Sequence, residues 1–484
     1  MRKVILIVIT IVFNLLSQQS IKAEVKLPAI VSSNMVLQRN TTIVLWGWAD
    51  VGEKITIKTS WLKDELSFNA DKNGDWKIEV KTTDSKEPQF IKINSKDSDI
   101  LLDNVLFGEV WLCSGQSNMY QPLASYNGQP TYGGLMATVK SNNKNLRLFS
   151  VGKVASKTPL EKLDKFTGWQ DASPESVLNF SAVAYFFGKQ LQEVLDCPVG
   201  LIHASWGGSI VQAWMSKEVL NTYKKVDLEN VDLKKRAQYN PTVLYNSMIK
   251  PLIPFTIKGA LWYQGESNRS EPNDYKKLFP AMVKDWRTRW GIGEFPFYYV
   301  QIAPYLYDNN DVFQTNDNTA FIREAQLQCL DLIPNSGIAI TMDIGDEKSI
   351  HPPKKKEVAD RLLFNALNQT YGYKTVDYAG PIYKSLEKKD GGILLSFKNA
   401  ELGLYAYDGL TGFEIAGADK VFYPATSKFV NRRKVLVKSD KVTNPVAVRY
   451  AWRNWINGTL YDTNLLPASS FRTDNWTDAT QVKN

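Results

Sequence analysis

Residues 108–119 read GEVWLCSGQSNM: an apolar, strand-like run (Glu109, Val110, Trp111, Leu112) passes directly into a small polar turn with Ser114, Gly115 and Ser117. Such a stretch is either an ordinary strand end or a serine displayed at a strand tip as a nucleophile. Its surroundings bear on the choice. From Val105 to about Tyr373, five apolar runs occur at NVLFGEVWLCS, PVGLIHAS, IKGALWYQ, FPFYYVQIA and SGIAITMDI. Helical patterns fall between them at FSAVAYFFGKQLQEVL, LYNSMIKPLI, NDYKKLFPAMVKDWRTRW and NTAFIREAQLQCLDLI, and PKKKEVADRLLFNALNQ follows the last. Strands joined by helical crossovers form a parallel sheet covered on both faces. In these sheets the functional groups gather in loops beyond the carboxyl ends of the strands, where 114–119 lies.

The flanks have a different rhythm. Between Val25 and Asp103 short alternating segments (TTIVLWGWA, EKITIKTSW, DWKIEVKT, PQFIKINS) predict a small antiparallel β-sandwich, with Asn73-Gly74 as a two-residue hairpin turn. The aspartates of DKNGDW resemble half a calcium loop, but the glycine comes too early for one. Strand patterns return after Asp377 at GGILLSFKN, KVLVKS and PVAVRYAW, predicting a second β domain. Met1 to Ala23 combine Arg2 and Lys3, an apolar run from Val4 to Leu16, and a polar end, the order of a secretory signal peptide; a membrane anchor is the alternative. The expected divisions are therefore 1–23 signal peptide, 24–104 N-terminal β-sandwich, 105–375 α/β domain and 376–484 C-terminal β domain. The protein is expected to be exported, to a periplasm or beyond the cell, with no membrane segment after signal removal.

With 44% hydrophobic and 22% charged residues in 484, the chain is that of an ordinary folded protein. Loss of Arg2, Lys3 and Lys22 with the signal reduces the net charge from +8 to +5, and no basic stripe with interleaved aromatics suggests nucleic acid as a partner. Cys113, Cys197 and Cys329 are odd in number and lie in apolar patterns, so they read as buried thiols.

The loops after the five strands contain SGQSNM, SWGGSI, QGESN, APYLYD and DIGDEKSIHP. Of the two histidines in the chain, His351 lies in the last of these loops and His203 inside an apolar strand, where a core role fits better. Neither has a second histidine or a cysteine at zinc-ligand spacing, so no metal is expected. The first turn lacks the glycines of a dinucleotide site. A glycosidase-type carboxylate pair drawn from Glu266, Asp343 and Asp346 stays open. A serine nucleophile with a histidine base fits best, because an imidazole titrates near working pH and can take the proton of a serine hydroxyl.

The motifs GEVWLCSGQSNM, SWGGSIVQAW, LYNSMIKPL, GALWYQGESN, IREAQ, DIGDEKSIHPPKK and GFEIAGADKVFYPA, in this order, resemble the SGNH hydrolase superfamily and, within it, the bacterial sialate O-acetylesterases. The resemblance implies an α/β fold with a three-layer, flavodoxin-like core flanked by β-sandwich domains. It also implies a serine esterase that uses no cofactor and removes O-acetyl groups from sugars, sialic acids first, through an acyl-enzyme. An acetylxylan or other polysaccharide acetylesterase, and a non-catalytic carbohydrate-binding protein, are the alternatives. Carried over by residue, Ser117 is the nucleophile and His351 the base. Gly207 or Gly208 and an amide from Gln264 or Asn268 join the Ser117 N–H in the oxyanion hole. Gln116, Glu266 and Arg323 would contact substrate, with Arg323 pairing with a sugar carboxylate or, equally, forming a structural ion pair. The superfamily's aspartate three residues before the histidine, or two before it in close relatives, is replaced here by Lys348 or Ser349. Asp346 is the carboxylate assigned to orient His351, with Glu347, a backbone carbonyl or a bare Ser-His dyad as alternatives. Activity is expected to rise with pH through about 6 to 7. Ser114 is expected to shape the turn.

Overall fold

The computed structural model describes residues 24–307 and 318–481; the expected signal peptide lies outside these residues. The central strand, β1 (Asp99–Gly115), is fully buried from Phe107 onward and pairs in parallel with β3 (Val199–Ser205) on one side and β4 (Gly259–Tyr263) on the other. Beyond β3 lies β2 (Asn143–Ser150), and beyond β4 lie β5 (Phe297–Val300) and β6 (Ser336–Ala339), all parallel, in the order β2-β3-β1-β4-β5-β6. The chain winds first to one side of β1 and then to the other. Such a reversal opens a crevice at the carboxyl end of the strand where it occurs.

Alternation along these strands sends Trp111, Cys113, Leu201 and Tyr263 to one face, beneath helices α2 (Ala182–Leu195) and α5 (Lys355–Asn365). Val110, Leu112, Ile202 and Trp262 go to the other face, beneath α3 (Pro272–Trp290) and α4 (Ala320–Gln328). The fold is thus α/β with a three-layer core. All three cysteines are free and buried.

The first half of β1 pairs antiparallel with Gln89–Asn94, so one continuous strand serves both the N-terminal β layers and the central sheet. Asn104, with φ +53°, turns the strand where its pairing changes. The Asn73-Gly74 turn does not close a hairpin. Leu66–Asn69 pairs with Lys54–Thr59 and Asp75–Lys81 with Thr42–Trp48, so the turn carries the chain between two sheets. Asp71 Oδ1 holds it by accepting from the N–H groups of Asn73 and Asp75. LYNSMIKPLI forms a π turn and a 3₁₀ turn around Pro251 instead of an amphipathic α-helix. After Ile382, four strands pair as one antiparallel sheet and five as a second, mixed sheet.

Candidate active site

β1 ends at Gly115, whose φ of +137° and whose closeness to Tyr263 admit no side chain: a Cβ there would stand 2.2 Å from Tyr263 O. Gln116 N then donates to Tyr263 O (2.9 Å) and Trp206 N to Gly115 O (3.1 Å), clamping the tip between the ends of β4 and β3. Ser117 opens the four-residue helix α1 (Ser117–Tyr120) and is partly exposed. Ser114 is not a turn residue. It lies inside β1, fully buried, with its hydroxyl unpartnered among the described residues.

The turn after β3 lies against Ser117, since a Cβ on Gly207 would be 3.3 Å from Ser117 Cβ. No hydrogen bond within the described residues engages the N–H of Ser117 or of Gly207, so both donors are uncommitted. Gly208, with φ +72°, faces Gln238 and Tyr239 instead. The two candidate amides differ. Gln264 Nε2 is committed to Ser209 O (3.1 Å) and Asn268 Oδ1 (2.7 Å). Asn268 Nδ2 donates to Gln212 Oε1 (3.0 Å), which leaves one of its two N–H groups uncommitted among the described residues.

His351 reaches this turn through an aromatic bridge. The Tyr126 hydroxyl donates to Ser117 O (3.2 Å), and its ring meets the imidazole edge-on with centroids 5.2 Å apart. The atom at His351 Nδ1 is Gln129 Oε1, 2.5 Å away, from a turn closed by reciprocal backbone bonds between Tyr126 and Gln129. A carbonyl oxygen accepts, so Nδ1 carries the proton and Nε2, buried and without a partner among the described residues, presents its lone pair. Burial first, and the Lys355 charge second, hold His351 down at about 4.

Asp346 does not orient His351. Its Oδ1 accepts from the N–H groups of Lys348 (2.8 Å) and Ser349 (3.0 Å), shaping the loop, and no hydrogen bond joins it to the imidazole among the described residues. Ser349 instead braces the histidine backbone, its Oγ accepting from His351 N (3.2 Å). Gln116 and Glu266 are buried rather than displayed to a ligand. Gln116 Oε1 accepts from the N–H groups of Gly265 (3.4 Å) and Ser267 (3.3 Å), and Glu266 accepts from Asn118. Arg323 is 0% exposed, and its fork is spent on Ser470 Oγ, Thr319 Oγ1 and the carbonyls of Ala451 and Arg453. It pins α4 to the C-terminal strands and pairs with no carboxylate among the described residues. The glycosidase pair loses its members too, because Asp343 sits in a bidentate ion pair with Arg361 (2.7 Å). His203 is buried, as its strand position predicts, and shares a 2.6 Å hydrogen bond with Ser205.

A six-stranded parallel sheet with a serine turn and a histidine loop meeting at its carboxyl edge defines an SGNH-type ester hydrolase fold. Comparison with known proteins narrows the class. Residues 107–359 match the sequence model described as carbohydrate esterase, sialic acid-specific acetylesterase. The human sialate O-acetylesterase is 29% identical over 88% of this chain and 87% of its own, and the mouse enzyme 28% over 88% and 89%. The crystal structure of a carbohydrate acetylesterase from Xanthomonas citri superimposes with a TM-score of 0.85 at 34% identity, covering 93% of this chain and all of that one. The chain belongs to the sialic acid-specific acetylesterase family of carbohydrate esterases, and it is a carboxylic ester hydrolase.

Proposed function

We propose that the protein hydrolyses O-acetyl groups from sialic acids through an acyl-enzyme on Ser117. One observation carries the reading: the partly exposed serine at the tip of the central strand has an uncommitted N–H of its own and that of Gly207 beside it, and Tyr126 joins its turn to a histidine whose Nδ1 is occupied and whose Nε2 has no partner among the described residues. His351 Nε2 takes the hydroxyl proton as Ser117 Oγ attacks the acetyl carbonyl. The oxyanion is received by the N–H groups of Ser117 and Gly207, with the remaining N–H of Asn268 as third donor, each contributing about 3 kcal/mol to the transition state. His351 then protonates the departing sugar oxygen, and water attacks the acetyl-serine by the same route. Gln129 replaces the usual carboxylate as the group that holds the imidazole. The apolar leader at 4–16 supports export.

A second reading, an acetylesterase of neutral polysaccharides, is favoured by the enclosure of Arg323, which removes the residue expected to pair with a sialate carboxylate. Two exposed cations near the site offer the sialate reading a substitute. Lys153 lies over the Tyr120 ring (3.5 Å), and Arg236 stacks on Tyr239 (3.8 Å) beside Gly208. Acetate release from O-acetylated sialic acid, measured beside acetylated xylan, separates the readings. Release from the sialic acid at a kcat/KM at least tenfold higher supports the first, and the reverse ratio supports the second.

A further inference from the structure

Ser117 and His351 are each followed or preceded by a residue caught in one buried bridge. Asn118 is 1% exposed; its Nδ2 donates to Glu266 Oε1 (2.5 Å) and to Ile350 O (3.0 Å), and its Oδ1 accepts from Lys355 Nζ (2.5 Å). Glu266 and Lys355 are both buried as well, at 3% and 0% exposed. A single amide thereby ties four pieces together: the turn after β1, the loop after β4, the histidine loop and the first turn of α5. An amide with opposite charges at its two ends has both its donor and acceptor sides fixed. It has no freedom to flip.

Burying an ammonium and a carboxylate is expensive, and well-packed apolar side chains of similar size serve stability at least as well. Burial pulls Lys355 down to about 7 against the opposing pull of Glu266, and burial raises the Glu266 carboxyl. The other titratable groups facing the bridge are Tyr263, whose ring lies 5.8 Å from Lys355 Nζ, Tyr275 and Tyr307 around Glu266, and His351 itself.

We propose that Lys355, Asn118 and Glu266 are positioning residues whose buried bridge holds the Ser117 turn and the His351 loop in catalytic register. The inference rests on the assignment of Ser117 and His351 to the chemistry. Misplacing reacting groups by about 1 Å costs on the order of 10²-fold in rate, so a modest loosening of this bridge is visible in kcat. The charge on Lys355 adds a second effect, since it opposes a second positive charge on the nearby imidazole.

The test is hydrolysis of 4-nitrophenyl acetate from pH 3.5 to 9 by the full-length enzyme and its Ser117→Ala, Asn118→Ala, Lys355→Met, Glu266→Ala and Glu266→Gln variants, each with a thermal midpoint. The expected result is a kcat loss of roughly 10- to 100-fold for Asn118→Ala, Lys355→Met and Glu266→Ala, with KM within about twofold. Glu266→Gln, which keeps an oxygen for Asn118, restores most of the rate. Lys355→Met also moves the acid limb upward, a change that a purely structural role does not produce. A folded Lys355→Met enzyme with wild-type kcat and an unmoved acid limb overturns the inference, whatever becomes of the Asn118 variant. Activity surviving in Ser117→Ala overturns the nucleophile assignment instead, so the two failures are distinguishable.

Discussion

Replacing Gln129 by glutamate tests the least expected contact of the site. The wild-type oxygen is 2.5 Å from His351 Nδ1 and neutral, so it fixes the tautomer and stabilises the imidazolium far less than a carboxylate does. A carboxylate in the same place adds an opposite charge at hydrogen-bond distance, which raises a pKa by about 1–3 units, or about 1.4–4 kcal/mol. Taking about 2 units moves His351 from about 4 toward about 6. At pH 5 the neutral, base-competent fraction then falls from about 90% to about 10%, so activity at pH 5 relative to the alkaline plateau drops roughly tenfold. Gln129→Ala deletes the bond without adding charge; it lowers kcat about tenfold, the kinetic equivalent of about 1.4 kcal/mol, and leaves the limb acidic. The assay is kcat/KM on 4-nitrophenyl acetate between pH 3.5 and 9. An acid limb that Gln129→Glu does not shift refutes the assignment of Gln129 to His351, and one already near 6.5 in wild type refutes the burial of the imidazole as the cause of its low pKa. Wild type itself is expected to remain active well below the 6 to 7 window that an ordinary imidazole gives.

Arg323→Ala leaves several buried acceptors unpaired and is expected to cost on the order of 3 kcal/mol or more in urea unfolding, while KM for an acetylated sialic acid stays within about twofold. A large rise in that KM with stability intact contradicts the structural role. His203 is held by burial, with Lys153 adding to it, at about 3 against an ordinary 6.5. Its neutral folded form therefore supports stability in full above pH 6.5, and that support is lost as pH falls from 6.5 toward 3. His203→Phe is expected to flatten the slope of unfolding free energy against pH across that window; an unchanged slope removes His203 as its source.

Strands β3, β4, β5 and β6, and β1 from Phe107 onward, were legible because each is an apolar run buried on both faces. β2 was not, since NKNLRLFS begins with three polar residues, two of them exposed, and only its second half enters the core. The same limit applies to the site. Ser117 and His351 stand at strand ends in recognisable company, whereas Gln129 sits 222 residues from its partner in a loop of turn residues, SYNGQPTYGG, with nothing local to mark it. Arg323 carried the reverse error. Its planar fork suits a carboxylate, but the helix that bears it faces the C-terminal strands, and the fork is filled by their carbonyls and hydroxyls. Gln116, Asn118 and Glu266 have polar side chains suited to ligands, yet the loops at the sheet edge need internal hydrogen bonds to close over a buried crevice, and these residues supply them.

The central claim is that Ser117 forms the covalent intermediate. It is tested most directly by treating the enzyme with a serine-reactive fluorophosphonate and mapping the adduct by peptide mass spectrometry while following loss of acetylesterase activity. The account predicts one adduct, on the peptide containing Ser117, forming in step with inactivation and absent from Ser117→Ala, which itself loses about 10³-fold or more of the activity. Full inactivation with the label on another residue, or a Ser117→Ala enzyme that still releases acetate at the wild-type rate, contradicts it.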